Sequence, residues 1–409
     1  LPRETVNRRA SAKRQPRQSR IIIFTGKGGV GKTCSAAATA TLTADSGRRS
    51  VVISTDPAHS LGDAFSKGLG SDPTPIAPNL FGVEVDVKKE VREHWAAIQE
   101  YFAQLLQSRR CDPFTANELA YFPGIEEFLT LIKIQQYSDE FDVVVVDCAP
   151  TAGTLRILTF PGVWGNFFSK LFSINSNAVV RHIGSPLLKA ITNLPLPSEN
   201  AGGGFRKLFE KTSGISKLLT DASRTTVRIV LNPEKMVVRE SYRNFTSLNL
   251  YEYHTDAVIV NRILPETKEP DFFETWRHTQ EQYIEEVRNS FYPVPILPVH
   301  LKSHSIKNID DIRELGKEIY GDQDAGKVLY SEKPLAYLYD DATREYIVRL
   351  RVPKAMQGSD FDVTQTGEDL VVKTGSFKRI IPLPRVFQQC EVRAADLKGD
   401  ALLVRYVAA

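Results

Sequence analysis

One stretch limits what this chain can fold into more than any other: Gly26-Lys27-Gly28-Gly29-Val30-Gly31-Lys32-Thr33. It follows the apolar run Ile21-Ile22-Ile23-Phe24 and precedes the alanine-rich Ser35-Ala36-Ala37-Ala38-Thr39-Ala40. A strand, a glycine-rich turn and a helix start in that order form the context in which a phosphate-loop pattern has a mechanism. The glycines let backbone N–H groups close around phosphate oxygens, and the helix N-terminus adds partial positive charge. Gly26 to Gly31, with Cys34 just beyond, are therefore expected to bind ATP or ADP. Lys32 should reach the β- and γ-phosphates, and the Thr33 hydroxyl should ligate magnesium. Such a loop belongs at the C-terminal edge of a mostly parallel sheet, so the expected fold class is α/β.

Lys27 occupies a position that the general pattern leaves free. The loop resembles the "deviant" phosphate loop, K-G-G-x-G-K-T, of the family that includes the arsenite-pump ATPase and the tail-anchored-protein targeting ATPase. The same family holds the septum-site and plasmid-partition ATPases and nitrogenase iron protein. The resemblance implies that Lys27 crosses a homodimer interface to the partner's nucleotide. A cation supplied in trans where transition-state charge develops acts as an arginine finger does.

Two more acids stand at strand ends. Val51-Val52-Ile53-Ser54 is apolar without alternation, as a strand buried on both faces would be, and leads into Thr55-Asp56-Pro57-Ala58-His59-Ser60. This sequence resembles the first switch of the arsenite-pump and targeting branch. By that resemblance Asp56 is catalytic, orienting or deprotonating the attacking water. Val143-Val144-Val145-Val146 is a second buried strand ending in Asp147, the natural further magnesium carboxylate. The following Cys148-Ala149-Pro150-Thr151-Ala152-Gly153-Thr154-Leu155-Arg156 resembles the second switch, with Gly153 displaced by one and the usual histidine missing. Thr226 to Leu231 and Asp256 to Val260 read as further strands. The amide of Asn261, able to donate and accept at once, suits adenine. The resemblance places Asn261 on the base and Glu234 in the nucleotide–interface neighbourhood. Cytosolic targeting factors carry a zinc-binding C-x-x-C after this asparagine. Here Glu266 to Glu274 holds no cysteine, so no zinc is expected. Val294 to Pro298 reads as a strand, and the glutamates usual in the family after that proline are replaced by His300-Leu301-Lys302.

Helical spacing dominates residues 90–135, where Trp95, Ile98, Phe102 and Leu105-Leu106 recur, followed by Ile125, Phe128-Leu129 and Ile132. A second helical insertion occupies about 155–222, with Val163-Trp164, Phe167-Phe168 and Leu171-Phe172 stepping by four. Both insertions follow a switch. These stripes fit either a self-contained helical core or an apolar groove for a client helix. From about residue 333 the pattern changes to short alternating strands: Tyr346, Val348, Leu350; Leu370, Val372; Leu402, Val404, Tyr406. They indicate a small all-β sandwich over 333–409. Their order resembles the α-crystallin (small heat-shock protein) fold that trails one branch of the targeting family in photosynthetic lineages. The P-loop ATPase domain is expected over 20–330.

Composition narrows the remainder. No run approaches the ~18 apolar residues that a membrane-spanning helix needs. The net charge is +3, but residues 1–20 hold seven basic side chains and one acidic, leaving 45 Lys+Arg against 48 Asp+Glu beyond them. A near-neutral body argues against nucleic acid as a partner. The four cysteines, Cys34, Cys111, Cys148 and Cys390, form no C-x-x-C and fit a reducing compartment. Residues 1–19 form a basic leader, expected to be disordered, that reads as a transit-peptide remnant or an ordinary basic tail. The missing initiator methionine gives the expectation that something upstream was removed. With the α-crystallin-like tail, the leader points to the chloroplast stroma, the cytoplasm being the alternative.

The expected protein is thus a magnesium-dependent, homodimeric ATPase whose switches open and close an apolar groove. Its clients are expected to be hydrophobic, tail-anchored membrane proteins, with a membrane receptor as a further partner. An arsenite- or antimonite-stimulated pump subunit, a partition or septum-positioning ATPase and an ATP-regulated general holdase are the alternatives.

Overall fold

The computed structural model describes residues 18–55, 60–85, 125–148, 214–215, 217–266, 272–352, 361–374 and 377–408. Most of the two helical insertions, the second switch from residue 149 onward, Asp56 to His59, Cys111 and the leader through residue 17 lie outside the described residues. Ser19, at the leader's end, is already buried.

Eight strands build the main sheet: β1 (Arg20–Thr25), β2 (Ser50–Ser54), β3 (Thr74–Ala77), β4 (Leu80–Glu84), β5 (Val143–Asp147), β6 (Thr225–Leu231), β7 (Thr255–Ile263) and β8 (Ile296–His300). Their order is β3-β4-β2-β5-β1-β6-β7-β8. Every neighbouring pair is parallel except β3 with β4, which closes one edge. β2, β5 and β6 are buried at every residue, which is why they read as apolar runs without alternation. The helices described with this sheet are α1 (Lys32–Asp45), α2 (Ser60–Phe65), α3 (Ile125–Glu140), α4 (Lys235–Leu250), α5 (Glu274–Phe291) and α6 (Ile309–Tyr320). None of the described helices is long and apolar enough to cross a membrane.

α1 is made of small residues because it is enclosed. Ala36, Ala37, Ala38 and Ala40 are fully buried, and α6 lies against the helix so closely that a Cβ on Gly316 would sit 2.8 Å from Leu42 Cγ. Asn308 starts α6, its side chain accepting from the backbone N–H of Asp310 (2.8 Å) and Asp311 (3.1 Å). A buried charge cluster ties down the chain beyond α6. Arg228 Nε and Arg20 Nη2 each meet Asp256 at 3.2 Å, and Arg228 also donates to the carbonyls of Ala325 and Lys327. Two cations and several acceptors around one carboxylate supply the pairing that a buried charge requires.

Two expected strands shift. Val294 and Pro295 belong to the turn leaving α5, with Val294 N bonded to Phe291 O, so β8 begins at Ile296 and carries His300 at its end. β7 does not stop at Asn261: its pairing with β8 is interrupted between Val260 and Ile263, and Arg262 there has φ 60°. Asn261 therefore lies in an irregularity within the strand, a feature that re-aims a side chain.

The C-terminal part is antiparallel. β9 (Leu335–Asp340), β10 (Glu345–Arg351), β14 (Cys390–Lys398) and β15 (Ala401–Ala408) form a sheet ordered β14-β15-β10-β9. β11 (Asp362–Thr366), β12 (Asp369–Thr374) and β13 (Phe377–Pro382) form another, with the short α7 (Arg385–Gln388) before β14. The alternating residues Val348, Leu350, Leu370, Val372, Leu402, Val404 and Tyr406 are the buried ones. β9 and β13 pack against α4, and β13 also packs against α5. At that seam Arg379 Nη1 donates to the carbonyl of Tyr292, the C-cap of α5, at 2.8 Å.

Candidate nucleotide-binding site

β1 ends at the centre of the parallel sheet, between β5 and β6, and the glycine-rich loop leaves it there. Three loop glycines have backbone angles that L side chains rarely adopt: Gly26 (φ +150°), Gly29 (+79°) and Gly31 (+101°). A Cβ on Gly26 would lie 2.1 Å from the Val230 carbonyl of β6, and one on Gly31 would lie 2.2 Å from Asn261 Nδ2. The loop is thus a backbone cradle pressed against β6 and β7, of the kind that takes an anion on its N–H groups. Lys32, only 6% exposed, turns back to donate to the Lys27 carbonyl at 3.0 Å, which holds its ammonium over the loop. Lys27 is partly exposed.

Hard oxygen donors collect beside the cradle. Thr33 Oγ1 lies 3.3 Å from Ser60 Oγ, the first residue of α2. Asp147 is 1% exposed at the end of β5, with Ser54 Oγ of β2 at 3.5 Å from Oδ2. Thr55 N donates to the Asp147 carbonyl at 3.0 Å, fixing the entry to the segment that carries Asp56. No three His, Cys, Asp or Glu gather as a metal cluster among the described residues. One threonine and one carboxylate beside a phosphate cradle nevertheless fit magnesium, which keeps several waters and takes its other ligands from substrate phosphates.

On the other side of Gly31 opens a cleft of about 630 Å³ lined by Cys34, Asn261, Arg262, Leu301, Ile306 and Leu315, among others. Asn261 spans its inner end: Nδ2 donates to the Val30 carbonyl (2.8 Å) and Oδ1 accepts from Arg262 N (2.9 Å). Those two bonds fix the amide orientation and leave a second N–H and a second lone pair for another group. Cys34 lines the cleft, its thiol pushed up by burial and by the nearby Asp147 carboxylate. Glu234 is exposed at the N-cap of α4, on the same sheet edge, and no hydrogen bond among the described residues links it to the loop.

The outer end of the cleft was not read from the sequence. His300 N and Nδ1 both meet Glu318 Oε1, at 2.8 and 3.1 Å. Lys302 Nζ reaches Glu314 Oε1 at 2.9 Å and Glu318 Oε2 at 2.7 Å. Burial works against ionisation of Glu318, but Lys302 and His300 hold its carboxyl below the usual value. Bonds to Glu318 and Glu314 raise Lys302. The acids that meet His300 and Lys302 come from α6, four residues apart. That spacing on an amphipathic helix was visible, but it did not say which cations it meets.

Loop, hydroxyls, carboxylate and cleft thus lie in one place. The profile of the anion-transporting ATPase family matches residues 19–321. The chain belongs to that family. A second profile, the HSP20-like domain found in ArsA, matches residues 343–406, the antiparallel sheets. The chain is 34% identical over 371 residues to a putative arsenical pump-driving ATPase of Chlorobaculum tepidum, covering 89% of this chain and 90% of that protein. A putative arsenical pump-driving ATPase 1 of Aquifex aeolicus is 32% identical over 400 residues, 94% of this chain and 99% of that one. An ATPase ASNA1 homolog of Trypanosoma cruzi is 29% identical over 334 residues, 75% of this chain and 92% of that one. This member of the anion-transporting ATPase family is an ATPase.

Proposed function

We propose that this ATPase works as a homodimeric targeting factor whose nucleotide cycle controls an apolar groove for hydrophobic, tail-anchored clients. The observation that carries the reading is the loop itself: Lys32 is buried and bonded back onto the Lys27 carbonyl, while Lys27 is partly exposed. One lysine serves the subunit's own phosphates, and the other is available to a second copy facing it. The similarity to the ASNA1 homolog supports the targeting role.

In this reading the loop N–H groups and Lys32 bind the ATP phosphates, and Asn261 anchors the base end. Asp56 orients the attacking water, and Lys27 of the facing subunit meets the charge that develops on the transferred group. Thr33 and, through water, Asp147 would hold magnesium, which would supply charge neutralisation at the phosphates. Loss of the γ-phosphate releases the switch segments, and the helical insertions that follow them change the groove. The plastid stroma is the proposed compartment. Co-expression with a tail-anchored protein, purification and mass spectrometry test the reading: co-purification that depends on nucleotide is expected. Recovery of no hydrophobic helix in any nucleotide state overturns the targeting role. A second reading, an arsenical pump subunit, is favoured by the names of the bacterial relatives. Arsenite-stimulated ATP turnover would select it.

A further inference from the structure

We propose that the seam between the C-terminal sheets and the ATPase part binds a small monovalent inorganic anion, of the chloride or bromide class, on the Arg379 guanidinium and the phenols around it.

Taking an ion out of water is costly, and a guanidinium does not escape the cost by shedding its proton at neutral pH. Among the described residues two arginines are fully enclosed: Arg228 is 0% exposed and Arg379 is 1% exposed. Every side-chain nitrogen of Arg228 has an acceptor. Nε and Nη2 reach the two oxygens of Asp256 at 3.2 and 3.3 Å, and Nη2 also donates to the Lys327 carbonyl at 2.9 Å. Its Nη1 donates to the Tyr320 hydroxyl (2.9 Å) and the Ala325 carbonyl (2.8 Å). Arg379 is the opposite case. Nη1 donates to the Tyr292 carbonyl at 2.8 Å and approaches that of Arg351 at 3.5 Å. Nε and Nη2 are buried with no acceptor, and no carboxylate among the described residues answers the charge.

The neighbours of Arg379 supply further donors instead of an acid. Tyr242, Tyr330 and Tyr337 are the ionisable groups that act on it. Burial pushes all three phenols up, Tyr330 to about 12, so each keeps its O–H at neutral pH. The Tyr330 hydroxyl is itself buried without a partner. A phenol that accepted from Arg379 would still have its own hydrogen to place. Tyr242 stands on α4, Tyr337 on β9 and Arg379 on β13, and Tyr292 caps α5, so the cluster draws on both sides of the seam. A water molecule would bring two more hydrogens to this one-sided set. A halide brings lone pairs alone and cancels the charge, and so enclosed a place suits a single-atom ion. Because the cluster is assembled only when the two parts are packed together, the anion would stabilise the joined state by mass action.

Unfolding of the full-length protein in sodium chloride and in sodium gluconate of equal ionic strength tests this. Chloride should raise the wild-type midpoint over gluconate, saturably and by about 2–4 °C once it exceeds its Kd a hundredfold. Arg379→Met removes the cation at similar volume and should abolish the difference between the salts. In gluconate it should be at least as stable as wild type, since a buried charge without a counter-ion gives way to an apolar side chain at no loss. Tyr330→Phe removes a donor and should shift the chloride response to higher concentration, which keeps the test open if the methionine variant does not fold. Wild-type crystals grown in bromide should show an anomalous peak within hydrogen-bonding reach of Arg379 Nε and Nη2. Equal wild-type midpoints in the two salts overturn the proposal. So do a chloride response that survives in Arg379→Met and density beside Arg379 with no bromide signal, which would be water.

Discussion

Gly31 and Asn261 are coupled in a way that a double-mutant cycle can measure. Gly31 has φ 101° and ψ 25° and its missing Cβ would lie 2.2 Å from Asn261 Nδ2. Gly31→Ala therefore incurs two costs. Placing an L residue in left-handed backbone costs about 1–2 kcal/mol. Making room also displaces the Asn261 amide from Val30 O and Arg262 N, two hydrogen bonds worth about 0.5–1.5 kcal/mol each, or ~1–3 kcal/mol together. The single variant should lose ~2–5 kcal/mol of stability. Asn261→Ala alone forfeits the same two bonds, ~1–3 kcal/mol. In the double variant the clash has no partner, so only the backbone strain adds to the Asn261 loss. The pair should thus be more stable than the sum of the singles by ~1–3 kcal/mol. Equilibrium urea unfolding of the four proteins gives the stabilities, and binding of a fluorescent ADP analogue gives the same cycle for the site. Additivity within about 0.5 kcal/mol would refute the claim that Asn261 and the phosphate loop form one mechanical unit.

Other outcomes follow from the site. Lys27→Ala should lower kcat by ~10³–10⁵ while ATP affinity changes much less, as for loss of a trans cation; unchanged turnover in steady-state assays would end the trans-lysine mechanism. Cys34, whose thiol is pushed up by burial and by Asp147, should alkylate slowly with iodoacetamide at neutral pH. Because it lines the cleft beside Gly31, saturating ADP should slow it further, as read by peptide mass spectrometry. Glu318 has a folded pKa below its ordinary value of 4.5, so its contribution to stability is present above that value and lost as pH falls through the lowered one. Unfolding midpoints of wild type and Glu318→Gln should therefore differ at about pH 6 and draw together as the pH falls below 4.5.

How much of this was legible in the sequence depended on whether the physics was local. The phosphate loop could be read because its residue types, its spacing and its flanking strand and helix are adjacent in the chain. The buried strands β2 and β5 could be read because burial on both faces removes alternation, and the alternating β10, β12 and β15 because one face stays wet. The antiparallel edge strand β3 gave no such signal: of Thr74 to Ala77 none is buried, so no apolar pattern was required of it. His300, Lys302, Glu314 and Glu318 come from a strand end and a helix whose meeting is a tertiary fact. Arg379 is the extreme case. As a lone arginine in a short alternating segment it reads as a solvated side chain, yet it is 1% exposed and bonded to the carbonyl at the C-cap of α5. That bond ties β13 to the end of an 18-residue helix, while burial pulls the guanidinium pKa down to about 10. A residue at the seam between the C-terminal sheets and the ATPase thus finds its partner on a helix from a different part of the chain. No window of sequence around position 379 contains that helix. Its role becomes readable only once the two ends of the seam have been brought together by folding.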